Sequence, residues 1–149
     1  MRILDSLGIR YETVSYAVEE EHVDAVTLAQ SLGVNPEEVW KTLVAHDEQN
    51  APLVFVIPGP AELNLKKAAK AVGSKKIDLV NLRDLTPLTG YVRGGCSPLG
   101  MKKSYPTWLD EMAGVFPRIY VNAGARGLQV ILAPDDLIRA VNAKTADLT

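Results

Sequence analysis

The sequence has few of the residues that build disulfides and metal centres. It contains one cysteine, Cys96, and two histidines, His22 and His46. A single cysteine excludes a disulfide within the chain. Together with the two histidines it gives neither the number nor the spacing of zinc ligands. We therefore expect no metal and no other cofactor.

Long apolar runs are also missing. No stretch of about 18 consecutive apolar residues is present, so the sequence contains no candidate transmembrane helix. The segment Met1–Asp5 lacks the apolar stretch and the cleavage site of a signal peptide. With 47% hydrophobic and 23% charged residues, the composition is that of an ordinary globular protein. We expect a single domain over residues 1–149, located in the cytoplasm and without a membrane partner.

Net charge is only −2, but it is distributed unevenly along the chain. Residues 1–50 carry a balance of −7, whereas residues 64–105 carry a balance of +7. A basic segment of this size can contact several phosphates of a nucleic acid, which gives affinity and orientation but little sequence specificity. The alternative is a solvated helix face with scattered surface lysines. The candidate phosphate contacts are Lys66, Lys67, Lys70, Lys102 and Lys103.

Predicted strands and helices alternate without the regular period of βαβ units, which indicates a mixed sheet with flanking helices. The clearest helix is Leu65–Val72, with Asn64 as its N-cap and Gly73 after it. An acidic loop is expected at Glu19–Glu21. The other expected helices are Arg2–Leu7, Thr27–Leu32, a turn from Asn35, a helix capped by Asn81 that ends at Leu88, and a helix from Pro134 to Val141. The expected strands are Tyr11–Tyr16, Trp40–Ala45, Pro52–Ile57, Lys76–Val80, and a hairpin of Arg118–Asn122 with Leu128–Leu132, with a short strand at the end of the chain.

The stretch Thr89–Gly100 contains four glycines and one proline in twelve residues. Glycine permits positive φ and lets a ligand approach the backbone amides, while Pro98 favours an extended conformation at Ser97. The pattern predicts a shallow shelf of N–H donors. A tight connection between two strands is the alternative.

This stretch resembles the signature loop of the YbaK-type aminoacyl-tRNA deacylases, free-standing relatives of the editing domain inserted in bacterial prolyl-tRNA synthetases. The resemblance continues, in the order of that family, through Lys41–Val44, Leu63–Lys70, Tyr120–Gly127 and Ala133–Leu137. It covers nearly the whole chain. The fold that it implies is mixed α/β, with a compact, partly barrel-like sheet and flanking helices.

The resemblance also implies a set of site residues. Lys41 takes the place of the functionally essential lysine of the family, although a lysine on an apolar strand can also protect an open sheet edge. Asp136 takes the place of a pocket aspartate, although a carboxylate near a helix N-terminus is favourable without any ligand. The implied catalytic residues are Lys41, Gly94, Gly95 and Asp136, and the implied substrate contacts are Tyr16, Thr42, Ser97, Pro98, Gly124 and Gly127.

Cys96 is not expected to be a nucleophile. A catalytic cysteine needs a base or a cation that lowers its pKa, and no histidine lies near Cys96 in the sequence. A triad based on Ser97 fails for a similar reason, because neither histidine has an evident acidic partner and the glycine pattern is not that of a nucleophile elbow.

The resemblance implies removal of cysteine from mischarged Cys-tRNA(Pro), with Cys-tRNA(Cys) as a further candidate substrate. The thiol of the substrate would attack its own ester, since a well-oriented intramolecular attack has an effective molarity of roughly 10⁵ M or more. The expected partners are aminoacyl-tRNA and, transiently, prolyl-tRNA synthetase, but not DNA. Two alternatives stay open: a water-dependent Ala-tRNA(Pro) deacylase, and a tRNA-binding or regulatory protein without catalytic activity.

Overall fold

The structure, a computed structural model, describes residues 1–16 and 25–149. The expected acidic loop Glu19–Glu21 and His22 lie outside these residues. The helices are α1 (Arg2–Ser6), α2 (Ala25–Leu32), α3 (Leu65–Val72), α4 (Leu82–Thr89) and α5 (Pro134–Val141). The strands are β1 (Glu12–Ser15), β2 (Trp40–His46), β3 (Pro52–Pro58), β4 (Asp78–Leu79), β5 (Thr107–Asp110), β6 (Ile119–Asn122), β7 (Leu128–Leu132) and β8 (Lys144–Ala146). Short 3-10 helices are formed by Pro36–Glu38 and Glu111–Val115.

The strands form two sheets. One is antiparallel with the order β1-β7-β6, and the other is mixed with the order β4-β2-β3-β5-β8. In the mixed sheet β3 pairs with β5, and β5 with β8, in parallel, whereas the pairs of β2 are antiparallel. Among the described residues, a single parallel bridge, between Val39 and Tyr120, joins the two sheets. The predicted mixed, partly barrel-like fold is thus confirmed, although the barrel is not closed.

The main hydrophobic core lies between the two sheets. Alternate residues of the strands point inward, including Val54 and Val56 of β3, Val121 of β6 and Val130 of β7, all buried in one cluster. The opposite, outward faces are covered by helices. α3 packs Ala68 on the outward face of the mixed sheet, and α2 packs on the outward face of the three-stranded sheet.

Most predicted elements are present, and the exceptions are short. Asn64 accepts hydrogen bonds from the amides of Lys66 and Lys67, and Gly73 ends α3 with φ 81°. Asn81 precedes α4, but its side chain makes no capping hydrogen bond. The strand expected over residues 76–80 is reduced to β4, and β5 was not predicted.

In the two described ranges, no helix has the length and apolarity that crossing a bilayer requires.

Candidate active site

Lys41 projects from β2 on the outward face of the mixed sheet. It pairs with Ile57 of β3, which belongs to the cluster covered by α3. The side chain is partly buried, and this desolvation lowers the pKa of the ammonium, while the negative charge of Glu62 partly offsets the effect. Within the sheet, β2 pairs with β3 along one edge and contacts β6 along its other edge. The alternative that Lys41 protects an open sheet edge is therefore wrong.

Four polar side chains share one outward face across the joint between the sheets, and we call Tyr16, Lys41, Asn122 and Gln129 the polar row. The parallel bridge joins Val39 to Tyr120, so Lys41 and Asn122 each lie two residues beyond it on that face. Asn122 pairs with Gln129 in the β6–β7 ladder. The Nε2 of Gln129 lies 3.4 Å from the hydroxyl of Tyr16.

The side-chain oxygen of Gln129, Oε1, is a buried hydrogen-bond acceptor with no donor among the described residues. Only 3% of the surface of Gln129 is exposed. An unpaired buried acceptor costs about 1–3 kcal/mol, and a donor supplied by a ligand or by water is one explanation for such a group. Gln129 was missed as a site residue, as was Asn122. The available signal was a single polar residue inside the otherwise apolar strand Leu128–Leu132.

The glycine-rich stretch Thr89–Gly100, called the glycine loop below, meets the polar row at Asn122. The Nδ2 of Asn122 donates to the carbonyl oxygen of Gly94 at 2.7 Å. A Cβ on Gly94 would lie 3.2 Å from Nε of Arg126, and one on Gly95 would lie 3.4 Å from the Arg126 amide nitrogen. The two glycines therefore let this loop pack against the hairpin loop, residues 123–127.

The prediction that the glycine loop offers free backbone amides is wrong for Gly95. Its N–H donates to the carbonyl of Val92 at 2.9 Å within a turn. The amide of Leu99 is likewise taken by the hydroxyl of Ser97, at 3.1 Å. Ser97 and Pro98 are both buried, so the structure places these two predicted substrate contacts inside the loop.

Tyr91 fastens the glycine loop to the hairpin loop. Its hydroxyl donates to the carbonyl of Leu99 at 2.6 Å. A Cβ on Gly124, which has φ 102°, would lie 3.0 Å from the Tyr91 ring. Further along the hairpin loop, the carbonyl of Gly127 accepts from the amide of Tyr16 at 2.9 Å. Gly124 and Gly127 thus shape the border of the polar row.

Thr42 and Cys96 lie on the other side of β2. Thr42 pairs with Val56 on the inward face, where its hydroxyl is buried without a partner among the described residues. Cys96 packs with Val44 and Leu85. Burial raises the pKa of the Cys96 thiol to about 11, although a hydrogen bond with Thr89 acts in the opposite direction. Cys96 is a packing residue, as predicted, and Thr42 is separated from Lys41 by the sheet.

Asp136 is not brought to the polar row. It follows the end of β7 that points away from Gly127, and the two ends of a five-residue strand are about 13 Å apart. Its carboxylate pairs instead with Arg139, at 3.5 Å in the first turns of α5. The structure therefore gives the predicted pocket aspartate a local, helix-stabilising role.

An open groove of about 670 Å³ lies at that far end of the three-stranded sheet, lined by residues of the α1–β1 segment together with Arg118 and Leu132. No member of the polar row lines it. Within residues 1–16 and 25–149, no group of three Asp, Glu, His or Cys side chains could hold a metal ion.

Comparison with known proteins decides the family. The model of a family described as the aminoacyl-tRNA editing domain matches residues 19–140. The chain belongs to this family. This confirms the class inferred from the sequence, that of aminoacyl-tRNA deacylases.

Individual relatives of this editing domain agree. The chain is 44% identical, over its whole length and 91% of the relative, to the Enterococcus faecalis protein named "Putative Cys-tRNA(Pro)/Cys-tRNA(Cys) deacylase EbsC". It is 29% identical to a proline–tRNA ligase of Thermodesulfovibrio yellowstonii over 66% of the chain and 16% of the ligase. A solved structure described as "a putative trans-editing enzyme for prolyl tRNA synthetase" is 26% identical, with a TM-score of 0.86 over 99% of this chain and 92% of that one.

The lysines expected to contact tRNA do not form one surface of the editing domain. Lys66, Lys67 and Lys70 lie on α3, which covers the Lys41 face of the mixed sheet. Lys102 lies beside Thr89 at the end of α4, which packs Leu85 against the opposite side. The Nζ of Lys67 is also paired with Asp147 at 3.0 Å. The basic segment is therefore divided between two sides of the sheet.

Proposed function

We propose that this editing domain acts in the cytoplasm and removes cysteine from Cys-tRNA(Pro) after its release from the synthetase. The observation that carries the proposal is the composition of the polar row. It offers one ammonium, two carboxamides and one phenol, but no thiol and no serine or threonine hydroxyl. Such a site can orient a charged aminoacyl ester, and it lacks the hydroxyl or thiol nucleophile that hydrolases of the serine and cysteine types use.

The reaction that suits this site uses the thiol of the substrate. The cysteinyl sulfur attacks the ester carbonyl, a four-membered thiolactone forms, and the bond to the ribose oxygen breaks. The thiol proton passes to that oxygen, which leaves as the terminal hydroxyl of the tRNA. Water then opens the thiolactone to cysteine. Because both reacting groups belong to one molecule, orientation alone supplies much of the acceleration.

In this proposal Lys41 stabilises the leaving oxygen. Its ammonium is partly desolvated, which strengthens its interaction with a developing negative charge. Gln129 can accept a hydrogen bond from the α-ammonium of the substrate through its unused Oε1. Asn122 is oriented by its bond to Gly94 and closes the other side of the row.

This chemistry separates cysteine from amino acids that a pocket separates poorly. One methylene or a small side-chain difference is worth only about 1–3 kcal/mol in binding. Alanine has no thiol, so it can bind in the same place and still not react. The name of the Enterococcus faecalis relative supports cysteinyl substrates.

The test is a side-by-side deacylation assay with Cys-tRNA(Pro), Cys-tRNA(Cys) and Ala-tRNA(Pro). We expect release of cysteine to exceed release of alanine by at least about 100-fold, since the substrate thiol is required. Faster release of alanine would establish the water-dependent alternative. Binding of all three without release would establish a tRNA-binding protein.

Lys41→Met tests the assignment of the site. Loss of one transition-state hydrogen-bond donor costs about 10²–10³ in kcat, and we expect a loss in this range. Lys144→Met, on the exposed edge strand β8, is the matched control and should keep full activity. An active, folded Lys41→Met protein would contradict the site.

We further propose that the α3 lysines contact the tRNA backbone, because they share the face of Lys41. Lys66→Gln with Lys70→Gln should raise the KM for Cys-tRNA(Pro) and lower the slope of log affinity against log salt by roughly 0.7–0.9 per contact. Lys102→Gln with Lys103→Gln provides the comparison on the other side of the sheet. A larger effect from this second pair would move the tRNA surface to the side of α4.

The specificity for the tRNA is proposed to come from a transient complex with prolyl-tRNA synthetase. The relation to a proline–tRNA ligase supports this partner. Adding the synthetase should raise kcat/KM for Cys-tRNA(Pro) and leave Cys-tRNA(Cys) unchanged. Equal effects on the two substrates would exclude the complex as the source of specificity.

A further inference from the structure

Arg126 is an exposed arginine whose position is fixed by the glycine loop. Its Nε donates to the carbonyl oxygen of Arg93 at 2.9 Å. Its Cγ and Cδ lie over Gly94, 3.5 and 3.7 Å from where a Cβ would stand. Since Gly94 has φ 82°, a side chain there would be strained as well as crowded.

These contacts hold the base of the guanidinium and leave its terminal nitrogens unused. The only bond that Arg126 makes through its side chain within the described residues is the one from Nε. None of the ion pairs in those residues includes Arg126 or Arg93. The structure thus presents an oriented, uncompensated cation, which is the geometry that binds phosphate through two parallel N–H bonds.

Gly94 also connects this cation to the polar row. The carbonyl oxygen of Gly94 accepts a hydrogen bond from Asn122, while the side chain of Arg126 packs where a Cβ of Gly94 would stand. The guanidinium is therefore one residue away from the groups proposed to hold the aminoacyl ester. In an aminoacyl-tRNA, the anion nearest to the ester is the 5′-phosphate of the same terminal nucleotide.

We propose that Arg126 binds this 5′-phosphate and so fixes the terminal ribose beside Lys41. The proposal rests on the proposed function, because it takes an aminoacyl ester of RNA as the ligand. It differs from the α3 lysines, which lie on a helix and would contact phosphates further along the acceptor strand.

The test compares two minimal substrates, 3′-O-cysteinyl-adenosine and its 5′-monophosphate. Hydrogen bonds to a charged partner change affinity by roughly 10-fold or more. We expect the wild-type protein to cleave the 5′-monophosphate with a kcat/KM at least tenfold higher, and Arg126→Met to reduce this ratio to near one. Arg126→Lys, which keeps the charge but loses the bond to Arg93, should give an intermediate ratio.

Arg10→Met is the matched control, since Arg10 lines the groove at the other end of β1, and it should keep the wild-type ratio. A second variant, Gly94→Ala, keeps the arginine but displaces it, and should also lower the ratio. The proposal is overturned if the wild-type ratio is already near one, or if Arg126→Met keeps the wild-type ratio. If the wild-type protein cleaves neither ester, nor Cys-tRNA(Pro), the proposed function itself fails.

Discussion

Replacing Gln129 by methionine should raise stability and lower activity at the same time. Methionine has a similar length and shape, so it can fill the same buried space without a large packing cost. The substitution removes Oε1, which has no partner among the described residues. It also removes the 3.4 Å contact with Tyr16, which is too long to contribute much.

The expected gain follows from the cost of an unpaired buried acceptor, about 1–3 kcal/mol. For a chain of this size, 1 kcal/mol shifts Tm by roughly 2–4 °C. We therefore expect Tm to rise by about 2–12 °C. If Oε1 accepts from the charged ammonium of the substrate, its loss should lower kcat/KM for Cys-tRNA(Pro) by roughly 10- to 100-fold.

Thermal unfolding by circular dichroism and deacylation at saturating and limiting substrate give the two values. Gln49→Met, in the exposed turn between β2 and β3, is the control and should change neither. A fall in Tm with activity retained would mean that Gln129 is an ordinary structural residue. A rise in Tm with full activity would mean that its acceptor is not used by the substrate.

Three further predictions concern residues around the site. Cys96→Ala should keep its deacylation activity. In the wild-type protein, Cys96 should resist iodoacetamide at pH 8 until the protein is unfolded, because burial raises the pKa of its thiol to about 11. Strong loss of activity in a stable Cys96→Ala protein would indicate that the enzyme uses this thiol. Gly124→Ala should lower the unfolding free energy by about 1–3 kcal/mol, measured in urea, because φ is 102° and the added Cβ would lie 3.0 Å from the Tyr91 ring. An unchanged midpoint would contradict the close packing of the two loops. Burial lowers the pKa of Lys41, so on raising the pH the folded state releases this proton before the unfolded state does. The Tm of wild type relative to that of Lys41→Met should therefore rise as the pH approaches the usual lysine pKa. A constant or falling difference in Tm would refute the desolvation of Lys41.

The elements that were predicted correctly carry their signals locally. α3 has an apolar face, an asparagine cap and a terminal glycine, and each of these acts within a few residues. β5 has no such signal. Its four residues are buried because both faces of the mixed sheet are covered, with Leu109 in the core between the sheets and Trp108 in the cluster under α3. Its parallel neighbours, β3 and β8, come from distant parts of the chain.

The site was only partly predictable for the same reason. Lys41 was predicted from its place in the family motif Lys41–Val44, because a charge in an apolar strand would by itself have indicated an edge-protecting lysine. Asp136 was chosen as the pocket residue from its place in a motif, but it stands at the far end of β7. The group that faces Asn122 is Gln129, and this depends on the β6–β7 register. Register and face belong to the folded sheet, and no short sequence pattern displays them.

The bridge between Val39 and Tyr120 affects when activity is acquired during folding. The hairpin of β6 and β7 needs only local contacts, as does that of β2 and β3. The polar row is complete only when the first strand reaches β7 and the two sheets meet, and these are contacts between segments far apart in the chain. Recovery of deacylation after dilution from denaturant should therefore lag behind recovery of secondary structure.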